Sequence, residues 1–334
     1  MMAKRAEGKA ALAEALRAGD RRALARAITL VESRRAADRT AGEALLTALL
    51  PHTGGAMRIG ISGAPGVGKS TFIEAFGAHI TAEGHRLAVL AVDPSSRRSG
   101  GSILGDKTRM QALARNPRAF IRPSPAGETL GGVARHTREA ILLTEAAGFD
   151  VVLVETVGVG QSETAVSEMV DLFVLLVGPG GGDELQGIKR GVMELADLVL
   201  VTKADGELKQ AAARAAADYA HALHLMRPKY KELTPKVLQV SSLEGRGIGQ
   251  AWTLMGAMHA ALARSGELQG LRSEQRQRWL WNELHAALAD SFSAQSALGA
   301  RAGEIEREVA SGRILPGAAA RKLLSEFLRW EPPP

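Results

Sequence analysis

Short aliphatic runs recur through the middle of the chain: MRIGIS at 57–62, RLAVLAV at 86–92, VVLVE at 151–155, LFVLLV at 172–177, LVLVT at 198–202 and KVLQVS at 236–241. A strand with one wet face alternates apolar and polar residues. Continuous runs instead predict parallel strands covered by helices on both faces. The segments between them supply those helices, including an Ala-rich one over 207–226. Upstream, residues 10–50 show apolar positions at helical spacing and predict two helices, with Asp20 as the N-cap of GDRRALARAITLVES. PHTGG at 51–55 ends that pattern, and beyond Gly249 no strand pattern returns. SEQRQRWLWNELHAALADSF and PGAAARKLLSEFLRW predict further helices, stopped by EPPP; Trp279, Leu280, Trp281 and Leu284 in the first predict packing, in a core or a dimer. The chain thus divides into an N-terminal helical extension, residues 1–52, an α/β domain, 53–265, and a C-terminal helical arm, 266–334.

Composition narrows the chemistry. The absence of cysteine excludes disulfides, thiolate metal sites and cysteine nucleophiles. No run reaches the roughly 20 apolar residues of a membrane span, and MMAKRAEGKAALAEALRAGD has no apolar secretory core, so a cytoplasmic protein without membrane contact is expected. The net charge is +6, but the arginines are spread through Ala/Leu-rich helices and aromatics are only 4%, too few for a base-stacking surface. Nucleic acid is therefore not an expected partner, and an anionic ligand suits the charge better. His221 and His224 are a close pair at i and i+3, read as helix-surface residues rather than metal ligands.

Directly after the first aliphatic run stands GAPGVGKST, in which Gly63, Gly68, Lys69 and Ser70 satisfy GxxxxGK[ST]. Glycines at this spacing let successive backbone N–H groups converge on phosphate oxygens at a helix N-terminus, so Gly63, Ala64, Pro65, Gly66, Val67 and Gly68 form the expected cradle. Lys69 supplies a charge for the β and γ phosphates, Ser70 a ligand for Mg²⁺, and Thr71 a contact for the α-phosphate. The fold class is accordingly an α/β P-loop NTPase with a mostly parallel sheet flanked by helices, plus the two helical extensions. Glu155, an acid at the end of a covered strand, fits the magnesium-holding position and is expected to open onto the crevice at the carboxyl ends of the strands. Gly158 follows in acid-x-x-Gly spacing, its N–H suited to the γ-phosphate. AVDPSSRRSGGSILGDKTRM, with Asp93 at a strand end and Asp106 beyond, has the polar, glycine-rich character of a nucleotide switch.

Phosphate machinery does not choose the base. Thr202-Lys203-Ala204-Asp205 at a strand end is close to the N-K-x-D element of GTPases, where the aspartate accepts from guanine N1–H and its amine. Adenine would leave that carboxylate unpaired. Lys203 can lay its stem over the base, and Ser241, Ser242 and Leu243 resemble the loop whose backbone reaches the guanine carbonyl. Threonine in place of asparagine at 202 predicts the loss of one of two hydrogen bonds. Val159 follows Gly158, with Gln161 two further on, so no glutamine stands where many GTPases orient the attacking water; slow intrinsic hydrolysis is expected.

GAPGVGKST, AVDPSS, GGSILGDKTRM, FIRPSP, ETVGVGQSE, GDELQGIK and KAD, in this order, resemble the methylmalonyl-CoA mutase-associated GTPases, the MeaB/ArgK group, from about residue 20 through 250 with a similar helical tail. The resemblance implies a homodimeric chaperone GTPase that binds GTP/GDP with Mg²⁺. It would gate adenosylcobalamin loading, protection and reactivation of an acyl-CoA mutase. It implies a magnesium and water network of Ser70, Asp93, Asp106 and Glu155, and a catalytic set of Lys69 and Asp93 with Asp183 and Lys189 from a third switch. Lys189 would arrive only with the mutase bound, and such arriving groups add about 10³ to 10⁵ in rate. Two alternatives are a nickel or cobalt metallochaperone GTPase, which would need soft or imidazole ligands that this sequence lacks, and a kinase acting on a transport binding protein, for which no H-R-D loop speaks.

Overall fold

The computed structural model describes residues 2–33, 35–92, 110–123, 130–156, 162–180, 190–294 and 296–328. At its centre lie β1 (Met57–Gly63), β2 (Leu87–Val92), β3 (Ala119–Arg122), β4 (Val151–Thr156), β5 (Leu172–Val177), β6 (Leu198–Val201) and β7 (Lys236–Gln239). They form one seven-stranded sheet in the order β3-β2-β4-β1-β5-β6-β7, with parallel pairing at every step. β1 is thus flanked by β4 and β5, and Ile61 stands beside Glu155.

Continuous apolarity has the predicted consequence. Along β5, Phe173, Leu175 and Val177 point into one core and Leu172, Val174 and Leu176 into the other. Alternate side chains leave a strand on opposite faces, so β2, β4, β5 and β6 each serve two hydrophobic layers. One layer is closed by α4 (Lys69–Ala82) and α10 (Ile248–Ser265), the other by α6 (Leu130–Ala146), α9 (Lys209–His224) and the N-terminal helices. Short helices α5 (Gln111–Arg115), α7 (Ser162–Ser167) and α8 (Arg190–Leu195) complete the crossovers.

The N-terminal extension holds three helices where two were expected: α1 (Met2–Arg17), α2 (Arg21–Val31) and α3 (Ala36–Leu49). Gly19, at φ +82°, turns the chain between the first two, and Asp20 caps α2 as predicted, accepting from Arg22 N at 2.7 Å and Ala23 N at 3.2 Å. Leu24, Ile28 and Val31 of α2 share the core that contains β4 and β5.

The chain forms two compact units, residues 1–275 and 276–334. α11 (Glu267–Ala294) begins in the first and ends in the second. The second unit also contains α12 (Ser296–Ala310) and α13 (Pro316–Leu328), with Ile305 and Ala319 buried and the Phe292 and Phe327 rings 5.7 Å apart.

Candidate nucleotide site

At the carboxyl end of β1 the backbone needs glycine. Gly63 has φ +154°, and a Cβ there would lie 2.3 Å from the Leu176 carbonyl oxygen of β5. Gly68, at φ +99°, starts α4 from the left-handed region and offers no capping side chain. The first-turn N–H groups of α4 therefore have no side-chain acceptor from the cap and aim at the cradle, where an anion also meets the positive end of the helix. Lys69 folds back over the loop, its Nζ donating to Gly63 O at 2.6 Å and Ala64 O at 3.3 Å. Burial lowers its pKa below the ordinary lysine value, and nearby Glu155 and Glu163 oppose that shift.

Glu155 differs from its expected setting, being only 3% exposed rather than open to the crevice. Strand alternation explains the direction it takes. Val151 and Leu153 lie in the core beneath α4, so Glu155 points to the same face as Lys69. Thr156, on the other face, donates to Ser62 Oγ at 2.9 Å and ties β4 to β1 inside the core. Sequence reasoning missed Glu163. It sits in the first turn of α7, 2% exposed, and its field reaches Lys69. An acid at a helix start reads as an ordinary dipole partner, which left no signal for this role. The hydroxyl of Ser70 and the carboxylate of Glu155 are hard oxygen donors of the kind Mg²⁺ prefers, so the donor set fits that ion. Asp93, Asp106, Gly158, Asp183 and Lys189 lie outside the described residues.

The 202–205 segment is joined directly to the loop 63–70. The buried Thr202 hydroxyl lies 2.7 Å from Val67 O and 3.0 Å from Val177 O, its proton shared between them. Lys203 Nζ donates to Gly66 O at 2.8 Å, and Lys203 itself has φ 54°, the sole positive φ outside glycine among the described residues. Backbone held in a sparsely populated region is a frequent mark of a site where geometry matters more than local comfort. Ala204 N donates to Val240 O at 3.1 Å, and the hydroxyl of Ser241 donates to the Asp205 carboxylate. Ser241 Oγ in turn accepts from Glu244 N at 3.1 Å, holding the 241–246 turn in which Leu243 is 82% exposed. Thr202 and Lys203 are therefore tied to the loop 63–70, and Asp205, two residues on, is joined to Ser241. His221 and His224 are exposed on α9. No helix among the described residues is long and apolar enough to cross a membrane.

With the GxxxxGK[ST] loop and the 202–205 segment fastened into one frame at the carboxyl edge of a parallel sheet, the class of protein is a P-loop GTPase. A family profile described as "Methylmalonyl Co-A mutase-associated GTPase MeaB" matches residues 24–297. The chain belongs to that family and is a GTPase. It is 54% identical over 310 residues to a "Putative GTPase" of Caulobacter vibrioides, covering 93% of this chain and 95% of the relative. It is 49% identical over 322 residues to the mouse "Methylmalonic aciduria type A homolog, mitochondrial", covering 92% and 77% respectively. A solved structure titled "Crystal structure of LAO/AO transport system kinase" superposes with a TM-score of 0.76 at 41% identity, covering 96% of this chain and 98% of that one.

Proposed function

We propose that the protein uses GTP binding and hydrolysis to gate adenosylcobalamin loading, and protection or reactivation, of an acyl-CoA mutase of the methylmalonyl-CoA type. The observation that carries the guanine reading is the tie of Thr202 and Lys203, just upstream of Asp205 in the chain, to the phosphate loop. The family description and the name of the mouse relative support the mutase reading.

In this reading the N–H groups at the start of α4 and the Lys69 ammonium hold the β and γ phosphates, and Thr71 the α-phosphate. Asp205 accepts from guanine N1–H and its amine, Lys203 covers the base, and the Ser241–Leu243 backbone meets the guanine carbonyl. Ser70 and Glu155, with Asp93 and Asp106, would hold Mg²⁺, which supplies charge neutralisation at the β and γ oxygens when bound. Water attacks the γ-phosphorus, the bond to the β–γ bridging oxygen breaks, and GDP and phosphate leave. Asp183 and Lys189 belong to the segment that completes the site with the mutase present. Residues 53–265 form the GTPase domain, with 1–52 as its extension and 266–334 as a homodimerising arm. Leu280, Trp281, Leu284 and Leu288 on α11 stand exposed at helical spacing, an apolar face that a second copy would cover. A cytoplasmic location accords with this role.

The test is GTPase activity with and without candidate mutases, beside Asp205→Asn supplied with xanthosine triphosphate. One mutase is expected to stimulate the wild type, Lys189→Ala is expected to lose mainly the stimulated rate, and Asp205→Asn is expected to exchange guanine for xanthine preference. Equal affinity for adenine and guanine nucleotides would defeat the base assignment. The kinase title of the solved relative favours a second reading, and transfer of labelled γ-phosphate to protein rather than water would support it.

A further inference from the structure

Arg272, in the first turns of α11, makes four hydrogen bonds at the amino ends of the strands, the edge opposite the nucleotide site. Its Nε and one terminal nitrogen grip both oxygens of buried Asp171 at 2.8 and 2.7 Å. The same terminal nitrogen reaches Ala56 O at 2.7 Å and the other reaches Gly54 O at 2.6 Å. Asp171 also accepts from Arg58 N at 2.8 Å. One turn further along α11, the buried Gln275 donates to Val170 O at 2.7 Å.

The root of α11 therefore holds two stretches of chain, the start of β1 and the Val170–Asp171 corner between α7 and β5. Each leads to the nucleotide. β1 ends in Gly63 of the cradle, and α7 carries Glu163 beside Lys69. The two stretches also touch each other at Gly60 of β1. A Cβ there would lie 2.9 Å from Val166 and 3.0 Å from Val170, so α7 and its corner rest on bare strand backbone.

We propose that the Arg272–Asp171 fork and the Gln275–Val170 bond form a coupling joint, through which the nucleotide bound at one edge of the sheet sets the state of the α11 root at the other. A planar fork satisfied by a carboxylate and two carbonyls has one good geometry. A shift of the α7 corner against β1 must break it or carry Arg272 along, whereas an apolar contact would slide. Sites separated by a sheet communicate through such packed elements with discrete arrangements. The inference rests on the guanine-nucleotide reading above, because it requires two nucleotide states.

Hydrogen exchange of the full chain with GDP and with a non-hydrolysable GTP analogue, beside calorimetry of both ligands, tests it. In the wild type, exchange over residues 267–275 is expected to differ between the nucleotides by about tenfold, an ordinary size for coupling between sites. Arg272→Lys keeps the charge and loses the fork, while Gln275→Met keeps the volume and loses the bond. Each is expected to reduce that difference to under about twofold while analogue affinity stays within about twofold. Should Arg272→Lys fail to fold, Gln275→Met decides alone. The coupling is overturned if the folded variants keep the wild-type difference, or if the wild type shows none with both nucleotides bound. Calorimetry showing neither nucleotide bound would instead remove the nucleotide reading beneath it.

Discussion

The Thr202 hydroxyl shows how one side chain can hold two loops in register. By sequence, threonine for asparagine predicted the loss of one hydrogen bond. In the structure its single proton is shared between Val67 O of the cradle and Val177 O at the end of β5. Thr202→Val preserves shape and removes that donor; Val177 O keeps its bond from Thr202 N at 2.9 Å, but Val67 O loses the hydroxyl. An unmet buried acceptor costs about 1–3 kcal/mol. Calorimetry should find guanine nucleotides bound about tenfold or more weakly by Thr202→Val, with the preference for guanine over xanthine intact because Asp205 remains. Unchanged affinity would mean that the tie does not position the site. Gly63 illustrates a residue whose identity was legible for one reason and needed for two: the motif called for a tight turn, and the Leu176 carbonyl beside it also leaves no room for a Cβ.

Among the elements, those written in strong patterns were readable. The six continuous apolar runs became β1, β2, β4, β5, β6 and β7, and the Ala-rich stretch became α9. β3 was not, because AFIR offers four residues, the last charged, too little pattern to separate a short edge strand from a loop. The third N-terminal helix escaped for a related reason: α1 has no pronounced apolar face, and Gly19-Asp20 reads as a helix start more readily than as a joint between two. Glu155 stands at the expected strand end but is buried, since sequence shows that an acid closes a strand and not how deeply the fold encloses it. The α2 cap was plain in the sequence and gives a local prediction. Asp20→Ala removes the acceptor for two backbone N–H groups and should cost about 1 kcal/mol in chemical denaturation. Asp20→Asn, which keeps an acceptor oxygen, should recover most of it.

For the molecule as a whole, acid stability has an identifiable contributor at the α11 root. Burial alone would raise the Asp171 pKa, but the Arg272 hydrogen bonds and charge, the His259 ring 3.5 Å away and the Arg58 N–H outweigh it and hold the group at about 2, against an ordinary 3.8. A depressed folded-state pKa stabilises the native state above the unfolded value, and that contribution disappears as pH falls through the folded one. The difference corresponds to about 2 kcal/mol, present above about pH 5 and lost toward about pH 2. The stability gap between wild type and Asp171→Asn should therefore narrow across that window in denaturant titrations, and a gap constant down to pH 2 would assign the effect to something other than charge.

The sheet order also bears on how the chain is made. Met57 pairs with Val151 and Ile59 with Leu172, so the strand that feeds the cradle emerges from the ribosome long before either neighbour exists. Pairings so distant in sequence form slowly and leave strand edges exposed meanwhile. During synthesis the newborn polypeptide thus has a phosphate motif before it has a pocket, and ligand can first contribute to folding only after β5 has left the exit tunnel.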